Sequence, residues 1–216
     1  MKVLITAGAT WVKIDEARIL TNRFSGKTGL YLAKALKNKG HKVTLIINPH
    51  CVGEVKGPKA VCYHYFSEFK AQVLKCLREE KFDAIIHTAA VSDYCPKNTF
   101  KGKAPSGKSK LRLELVPLPK VITSMRRLAP KAKIIQFKLQ ANRKNLIQAA
   151  FRSLKENKSD FVVANSLKDL SSGCKRFVIN GAKEVVSVNS QKQLALVLDK
   201  IVRASSPQSI KAKVEK

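Results

Sequence analysis

Residues 2–10 read KVLITAGAT, a short run of β-branched residues and leucine that stops at Gly8. An apolar run of this length, closed by a glycine turn, predicts the buried first strand of a parallel sheet over Lys2–Ala7. Runs of the same kind recur along the chain, separated by stretches with helical periodicity. We therefore expect a protein in which strands and helices alternate.

The rest of the chain follows this alternation. Further strands are predicted over Val43–Ile47, Val61–Phe66, Asp83–His87, Leu111–Leu115, Lys133–Leu139 and Phe161–Ala164, with a closing hairpin over Lys175–Asn180 and Glu184–Val188. Helices are predicted over Gly29–Lys39, Ser67–Lys81, Pro119–Leu128, Arg143–Asn157 and Gln191–Ala204. Such alternation is typical of an α/β protein with a doubly wound, mostly parallel sheet in a Rossmann-like three-layer architecture, which binds ligands at the carboxyl ends of its strands.

The chain is long and apolar enough for one complete core. With 216 residues, 44% of them hydrophobic, residues 1–204 are predicted to form a single domain. Residues 205–216 are polar and rich in lysine, and we expect them to be a frayed basic tail. No apolar stretch reaches the roughly 18 residues that a membrane helix requires. The sequence therefore predicts a soluble cytoplasmic protein that makes no membrane contact.

The cysteines do not form a recognisable framework. There are five of them, an odd number, and none lies in a CxxC pair, which argues for reduced thiols rather than disulfides. His50-Cys51 and Cys62-x-His64 could in principle offer four zinc ligands. Their intervals lack the tight paired spacing of a zinc knuckle, so we predict no bound structural metal.

The formal net charge of +27 raises the question of an anionic partner. The basic residues are spread along the chain, without an arginine-rich arm, a zinc finger or an aromatic RNA-binding strand. This distribution favours a solvated basic surface or the steering of phosphorylated small molecules over binding to nucleic acid. A basic nucleic-acid-binding module remains one alternative function.

A long excursion separates the first strand from the first helix. Residues 14–23 read IDEARILTNR, and residues 24–29 read FSGKTG at the start of the helix. Two glycine turns and a helix N-terminus therefore surround one strand end, where backbone N–H groups and the helix dipole can bind phosphate. Arg18 and Asn22 add a cation and an amide that a short connection would not need.

Two common phosphate-binding motifs do not fit this stretch. A P-loop ending at Gly26-Lys27-Thr28 would need its leading glycine at Thr21. A dinucleotide-binding G-x-G-x-x-G motif would follow the first strand directly, whereas Gly8 is followed by the excursion. An NAD(P)-dependent reductase on the same kind of sheet is a second alternative, although Asn48-Pro49-His50 provides no ribose-binding acid after the second strand.

Several short motifs follow one another in a fixed order along nearly the whole chain. They are GAT at 8–10, IDEAR at 14–18 with TN at 21–22, FSGKTG at 24–29, AAVSDY at 89–94, KGKA at 101–104, FKL at 137–139 and VAN at 163–165. In this order they resemble the phosphopantothenate–cysteine ligase family. The chain departs from the family pattern at Ala9, Phe24 and Ala104. The resemblance implies a ligase of coenzyme A biosynthesis that joins 4'-phosphopantothenate to L-cysteine through an acyl-nucleotidylate made from CTP or ATP.

The resemblance also implies roles for individual residues. The nucleotide would contact Gly8, Ser25, Gly26, Gly29, Lys101, Lys103, Phe137 and Asn165. The phosphopantothenate would contact Arg18, Asn22, Ala89, Ala90 and Asp93. The catalytic residues would be Asn22, Arg18 and Lys101.

The implied partners are small molecules and a second copy of the chain. The co-substrate would be CTP or ATP with Mg²⁺, and no flavin is expected. In the family, the arginine at the position of Arg18 reaches into the active site of the other subunit, so the resemblance implies a homodimer with shared active sites. Lys101 and Lys103 would lie on a flexible loop that closes over the triphosphate.

Overall fold

The computed structural model of the chain describes residues 1–205 except residues 54, 56, 108, 173 and 174. The strands are β1 (Lys2–Ala7), β2 (Trp11–Lys13), β3 (Ile19–Thr21), β4 (Lys42–Ile47), β5 (Lys59–Cys62), β6 (Ala84–His87), β7 (Tyr94–Pro96), β8 (Leu115–Pro117), β9 (Lys133–Gln140), β10 (Phe161–Ser166), β11 (Arg176–Asn180) and β12 (Val185–Val188). The α-helices are α1 (Lys27–Asn38), α2 (Phe66–Glu79), α3 (Val121–Leu128), α4 (Leu146–Glu156), α5 (Leu167–Ser172) and α6 (Gln191–Arg203). The tail predicted beyond residue 205 lies outside the described residues. Among those residues, no helix is both long enough and apolar enough to cross a bilayer.

Eight of the described strands form one sheet, in the order β12-β11-β10-β9-β6-β1-β4-β5. The strands from β10 to β5 in this order are parallel, and β11 and β12 add to one edge in antiparallel orientation. The chain runs outwards from β1 through β4 and β5 and then returns to β6 on the other side of β1. This reversal confirms the predicted doubly wound, mostly parallel sheet. The crevice at the carboxyl ends of β1 and β6 is where such sheets bind ligands.

Alternating side chains of β1 fix the three layers. Ile5 packs in one cluster with Leu32 of α1 and Leu198 of α6, whereas Leu4 packs on the opposite face with Phe69 of α2. All five side chains are fully buried. Each buried side chain of this size contributes about 1.5–3 kcal/mol, so the period-two pattern of the strand sets which helices cover each face.

Helix α1 begins at the crevice, in the stretch where the sequence predicted a phosphate-binding helix N-terminus. Gly26, at its N-cap, has φ 81°, and Gly40, just after its C-terminus, has φ 87°. Both values lie in the left-handed region that glycine adopts without strain. The two glycines therefore determine where the helix begins and ends.

The segment 111–115 differs from its prediction. The alternating leucines predicted a strand there, but the structure has β8 at Leu115–Pro117, paired with β7 in a separate two-stranded sheet. Leu111, Leu113 and Leu115 are all exposed. Alternation places side chains on a common face, but it does not ensure that this face is buried. The prediction of a strand over Leu111–Leu115 was therefore wrong.

The excursion after β1 also has structure that was not predicted. Strands β2 and β3 pair as an antiparallel hairpin, with Trp11 opposite Thr21. Trp11 packs its ring against His50 and His64, at centroid distances of 4.9 and 5.1 Å. The two histidines weighed as zinc ligands thus flank an aromatic ring. Among the cysteines with described side chains, Cys62, Cys76 and Cys95 are free thiols, and Cys174 lies outside the described residues.

Candidate active site

A cleft lies at the reversal point of the sheet, between the end of β1, the start of α1 and the end of β6. We call it the central cleft, and its volume is about 190 Å³. It is lined by Gly8, Phe24, Ser25, Gly26, Lys27, Thr28, Gly29, Thr88, Ala89, Ala90, Phe137, Leu139, Asn165 and Arg176. Eight residues predicted to bind nucleotide or substrate are therefore brought together here, namely Gly8, Ser25, Gly26, Gly29, Ala89, Ala90, Phe137 and Asn165.

The glycines of the central cleft stand where a side chain would not fit. A Cβ atom on Gly26 would lie 2.7 Å from the backbone nitrogen of Gly8, and one on Gly29 would lie 2.5 Å from the Cβ of Ala7. The turn after β1 and the start of α1 are thus in direct backbone contact. The first N–H groups of a helix have no partner within the helix, so a helix start at a strand end is suited to binding phosphate.

The Ala89-Ala90 segment lies alongside the turn after β1. The N–H of Ala90 donates to the carbonyl of Gly8 at 2.9 Å, and the N–H of Thr10 donates to the carbonyl of Ala90 at 3.3 Å. Thr88 donates its hydroxyl to the carbonyl of Thr6 at 2.8 Å. Two motifs that are about 80 residues apart in sequence therefore form one wall of the central cleft.

Asn22 lies in an adjoining pocket, which we call the side pocket. This pocket shares Phe24 and Ser25 with the central cleft and has a volume of about 310 Å³. The amide nitrogen of Asn22 donates to the carbonyl of Ala90 at 3.1 Å. Asn22 thus connects the excursion to the Ala89-Ala90 wall, although it does not line the central cleft itself.

Asp93 lies in a third pocket on the other side of that wall, which we call the far pocket. Ala89 and Phe137 line both the far pocket and the central cleft. The structure therefore separates two of the predicted substrate residues, because Asn22 and Asp93 line different pockets.

His87, at the end of β6, is a residue of the far pocket that the sequence analysis treated only as part of a strand. Its Nδ1 lies 2.7 Å from the hydroxyl of Thr6, and its ring stacks on Phe69 at a centroid distance of 6.1 Å. Burial lowers the pKa of His87 from its ordinary value of 6.5 to about 4. The ring is therefore neutral at neutral pH.

Phe137 and Asn165 line the central cleft from β9 and β10. Phe137 is half-buried and also packs against the core cluster on the α1 face. Asn165 is buried, with 7% of its surface exposed. Phe137 therefore packs in the core at a strand end and also lines the central cleft.

Arg18 lies outside the central cleft, beside the carboxylate of Asp15. Asp15 accepts hydrogen bonds from the N–H groups of Ala104 at 3.0 Å, Ala17 at 2.8 Å and Arg18 at 2.6 Å. The guanidinium of Arg18 lies 3.4 Å from the same carboxylate. The backbone hydrogen bond from Ala104, the largest cause, and those from Ala17 and Arg18 hold the pKa of Asp15 below its ordinary value.

Lys101 and Lys103 lie on an exposed loop and line none of the three pockets. Between them, the carbonyl of Gly102 accepts a hydrogen bond from Glu16 at 3.1 Å. The structure therefore places the predicted lysines next to the Arg18 segment rather than in the central cleft. Ala104, which ends the lysine motif, is 1% exposed and is held by Asp15.

Arg176 is a residue of the central cleft that the sequence analysis missed. It lies on β11 and reaches α1, where its Nη2 is 3.4 Å from the hydroxyl of Thr28. These two residues are 148 positions apart in sequence, so no local motif links them. Only the pairing of β11 with the sheet brings Arg176 to the cleft.

The charge of the central cleft is of one sign. Lys27 and Arg176 are cations, and none of the described residues that line the cleft carries a carboxylate. Together with the start of α1, these cations suit the cleft to an anionic ligand. No group of three or more His, Cys, Asp or Glu residues that could hold a metal ion occurs in the described part of the chain.

Comparison with known proteins places this arrangement in a family. The model of the DNA/pantothenate metabolism flavoprotein C-terminal domain matches residues 1–209. The coenzyme A biosynthesis bifunctional protein CoaBC of Thermococcus kodakarensis is 36% identical over 186 residues, which are 83% of this chain and 45% of that protein. The chain thus spans about half the length of the curated relatives it matches.

Two solved structures share the fold over most of the chain. The crystal structure of the C-terminal domain of CoaBC superposes with a TM-score of 0.77 and 26% identity, covering 93% of both chains. The DNA/pantothenate metabolism flavoprotein from Streptococcus pneumoniae gives a TM-score of 0.78 and 25% identity, covering 93% of this chain and 97% of that one.

Proposed function

The chain belongs to the family of the DNA/pantothenate metabolism flavoprotein C-terminal domain, and we propose that it is a phosphopantothenate–cysteine ligase acting in coenzyme A biosynthesis. The family resemblance predicted from the ordered motifs is confirmed. The proposed reaction consumes a nucleoside triphosphate, CTP or ATP, and joins 4'-phosphopantothenate to L-cysteine.

One observation supports this proposal above the others. Motifs from distant parts of the sequence, around Gly8, Gly26, Ala89 and Asn165, line a single cleft at the reversal point of the sheet. The close backbone contact between Gly8 and Gly26 and the positive lining suit this cleft to a nucleoside triphosphate.

The first half-reaction activates the carboxylate of phosphopantothenate. A carboxylate oxygen bonds to the α-phosphorus of the nucleotide, the bond between that phosphorus and the bridging oxygen breaks, and pyrophosphate leaves with the electron pair. Anions approach one another in this step, so cations must neutralise the developing charge. Since no described carboxylate lines the central cleft, Mg²⁺ would arrive as part of the nucleotide substrate, held by its phosphates.

The second half-reaction forms the amide. The cysteine nitrogen attacks the acyl carbon, loses a proton and displaces the nucleoside monophosphate. Asn22 lies between the excursion and the Ala89-Ala90 wall and donates to the carbonyl of Ala90. In the proposal, Asn22 is the donor that stabilises this second transition state.

A homodimer with shared sites is part of the proposal. Arg18 is more than a third exposed at its side chain, and β3 presents Ile19 and Leu20, which are 36% and 38% exposed. An apolar hairpin edge beside an exposed arginine suits contact with a second copy of the chain. Mixing Arg18→Ala protein with Asn22→Ala protein should then restore part of the activity, because some mixed dimers keep one intact site. No recovery, with mixed dimers shown to form, would remove the shared site from the proposal.

The direct test is an assay with defined substrates. The protein is mixed with 4'-phosphopantothenate, L-cysteine, Mg²⁺ and either CTP or ATP, and both pyrophosphate and the ligated product are measured. The proposal expects equal amounts of the two products with at least one nucleotide. Neither product with either nucleotide would reject the ligase function.

The role of Asn22 is tested by separating the two half-reactions. Asn22→Asp keeps the size of the side chain but places a negative charge beside an anionic intermediate. We expect this variant to release pyrophosphate once per site and retain the acyl-nucleotidylate, which mass spectrometry detects after a rapid quench. Equal loss of pyrophosphate release and product formation would make Asn22 a binding residue for both steps.

The role of Lys101 is tested against a lysine of the same loop. Lys101→Gln should slow pyrophosphate release and leave the binding of phosphopantothenate unchanged, whereas Lys110→Gln should do neither. Both variants lose one positive charge from exposed positions, so the comparison separates a specific role from general electrostatics. Equal activities would remove Lys101 from the mechanism.

A further inference from the structure

The far pocket differs from the central cleft and the side pocket because its lining carries charges of both signs. Asp93 and Glu156 provide two carboxylates, and Lys120 and Lys138 provide two ammonium groups. None of the described residues that line the central cleft or the side pocket carries a carboxylate. Among these three pockets, a ligand with an ammonium group would therefore find a partner of opposite charge only in the far pocket.

Asp93 and Lys138 have no side-chain partners in the described part of the chain. Neither side chain forms a hydrogen bond or an ion pair with another described residue, and the two do not pair with each other although they line one pocket. The backbone of Asp93 is held in place, because its carbonyl accepts the N–H of Leu118 at 2.8 Å. Lys138 is half-buried on β9. A carboxylate and an ammonium group are thus both available to a ligand between them.

A row of polar side chains crosses the sheet beneath the far pocket, and we call it the polar row. Thr6, His87 and Gln136 lie opposite one another on the neighbouring strands β1, β6 and β9. The amide of Gln136 donates to the hydroxyl of Ser159 and accepts from the amide of Asn157, both at 2.8 Å. The polar row is therefore fixed by its own hydrogen bonds, and it brings neutral polar groups to the inner part of the pocket.

The hydrogen bond between Thr6 and His87 determines which ring nitrogen carries the proton. The hydroxyl of Thr6 lies 2.7 Å from Nδ1 of His87 and has no other acceptor among the described residues. A buried hydroxyl needs an acceptor, so it donates to Nδ1, and the neutral ring carries its proton on Nε2. His41 Nδ1 is the only buried side-chain nitrogen or oxygen without a partner in the described part of the chain. Nε2 of His87 has no partner there either, so it is accessible and faces the far pocket as a donor.

The order of these groups along the pocket fits an α-amino acid. Lys138 follows Gln136 by two residues on β9, so their side chains share one face and stand about 6–7 Å apart along the strand. Charged groups therefore stand at the outer end of the pocket, and neutral donors lie further in. Ala89 and Phe137 line both the far pocket and the central cleft, so a ligand held by Asp93 would lie next to the wall that the two sites share.

We propose that the far pocket binds L-cysteine, with Asp93 on its ammonium group, Lys138 on its carboxylate and the thiol directed towards Nε2 of His87. The inference rests on the proposed ligase function for the identity of the amino acid. Of the three substrates in that reaction, the nucleotide and 4'-phosphopantothenate carry only negative charge, so L-cysteine is the one that needs a carboxylate partner. Asp93 is thereby assigned to the second substrate, whereas the family resemblance assigns it to phosphopantothenate.

The test uses analogues that each lack one charged group of the amino acid. Binding of L-cysteine, cysteamine (no carboxylate) and 3-mercaptopropionate (no ammonium group) is measured by calorimetry under reducing conditions without nucleotide. Lys138→Gln should weaken L-cysteine about tenfold or more, as expected for a lost hydrogen bond to a charged group, and should change cysteamine less than about twofold. Asp93→Asn should weaken L-cysteine and cysteamine but not 3-mercaptopropionate. Absence of L-cysteine binding, or equal effects of either substitution on all three compounds, would overturn the proposal.

Two matched controls separate this role from general electrostatics. Lys155 and Glu79 are exposed and line none of the three pockets. Lys155→Gln and Glu79→Gln should therefore change each affinity less than about twofold. Controls that match Lys138→Gln and Asp93→Asn would overturn the proposal.

The unmodified protein offers a measurement that needs no variant. Nuclear magnetic resonance of the imidazole nitrogens should show the proton of His87 on Nε2, and the Nε2 signal should shift when L-cysteine is bound. A proton on Nδ1 of the neutral ring, or an unchanged Nε2 signal once calorimetry shows saturation with L-cysteine, would overturn the proposal.

The outcome for the far pocket is separable from the outcome for the ligase reaction. If L-cysteine binding depends on Asp93 and Lys138 but no nucleotide supports product formation, the amino-acid site stands and the proposed ligase function fails. If the ligase reaction proceeds and both substitutions leave the KM for L-cysteine unchanged, the function stands and the far pocket is not the cysteine site.

Discussion

Replacing Gly29 with alanine would place a methyl group at the tightest contact between α1 and the sheet. The new Cβ would lie 2.5 Å from the Cβ of Ala7 and 2.6 Å from the hydroxyl oxygen of Thr88. Non-bonded carbon atoms prefer about 3.5–4.0 Å, so the overlap with Ala7 is about 1 Å. Neither neighbour moves easily, because Ala7 is fully buried in β1 and Thr88 donates to the carbonyl of Thr6 at 2.8 Å.

Two opposing terms set the size of the effect. Alanine in place of glycine within a helix gains at most about 1 kcal/mol. Forcing extra atoms into a packed site costs about 1–3 kcal/mol, and an overlap of about 1 Å with the Cβ of a buried alanine on a central strand belongs at the upper end. We expect Gly29→Ala to lower the free energy of unfolding by about 1–2 kcal/mol. For a chain of this length that corresponds to a loss of about 2–8 °C in melting temperature.

The same overlap should affect nucleotide binding. To relieve it, the start of α1 must move away from β1 by about 1 Å, and the N–H groups that face the central cleft move with it. A displacement of that size can cost about a hundredfold in activity, so we expect the KM for the nucleotide to rise by more than the stability loss explains.

Urea unfolding and steady-state kinetics check this prediction, with Gly181→Ala as the control. A Cβ on Gly181 would meet no atom within 4 Å, so this variant should unfold within about 0.5 kcal/mol of the unmodified protein. The reasoning would be refuted if Gly29→Ala matched Gly181→Ala in both unfolding free energy and nucleotide KM.

Three other substitutions test contacts around the site. Asp15→Asn removes the negative charge from the side chain that accepts a hydrogen bond from the N–H of Ala104. Limited proteolysis should therefore cut residues 97–107 faster than in the unmodified protein, and an unchanged rate would contradict the idea that Asp15 holds this loop. Hydrogen bonds from Arg143, the largest cause, and from Ser166 lower the pKa of Asp169 from 3.8 to about 2. A lowered acidic pKa adds stability above about pH 4 that is lost towards pH 2, so Arg143→Gln should move the acid-unfolding midpoint to higher pH, and an unmoved midpoint would contradict this. The pKa of His87 is lowered from 6.5 to about 4 in the folded protein. Between these pH values the imidazole binds a proton only in the unfolded chain, so the free energy of unfolding falls as the pH falls. His87→Gln should flatten the stability profile from pH 6.5 to 4, and an unaltered slope would contradict this.

The strands of the main sheet and the helices that cover it were predictable, because the pattern of apolar residues in each element follows which of its side chains are buried. The strand predicted over Lys133–Leu139 is β9 at Lys133–Gln140, and the strand predicted over Phe161–Ala164 is β10 at Phe161–Ser166. β10 is buried along its whole length and begins with the apolar run FVVA, whereas β9 is fully buried only at residues 134–136 and includes Gln136 and Lys138. The leucines at 111–115 have the period of a strand but none of the burial, and the same reasoning failed there.

The glycines of the site were predictable for a different reason. Gly8 and Gly26 have φ near 80°, and Gly29 leaves no space for a Cβ. A backbone requirement of this kind leaves one residue type at one position, so it is visible in the sequence. The sequence does not show in the same way which pocket a polar side chain lines. Asn22 and Asp93 were assigned to one ligand, but which side of the Ala89-Ala90 wall each occupies depends on how the loops pack.

One departure from the family pattern, Ala104, has a structural role in this chain. Ala104 stands where the family pattern has a polar residue, which by itself suggests a lost ligand contact. In this chain the position is buried, and its N–H donates to the carboxylate of Asp15, so Ala104 connects the lysine loop to the Arg18 segment. Positive charge at the central cleft comes instead from Lys27 and from Arg176, which lies on a strand that no motif marked. A fixed, buried cation is screened by salt much less than exposed lysines on a loop. In the proposed function, the cations that line the cleft would attract phosphate without help from the loop, and Lys101 and Lys103 line no part of the cleft.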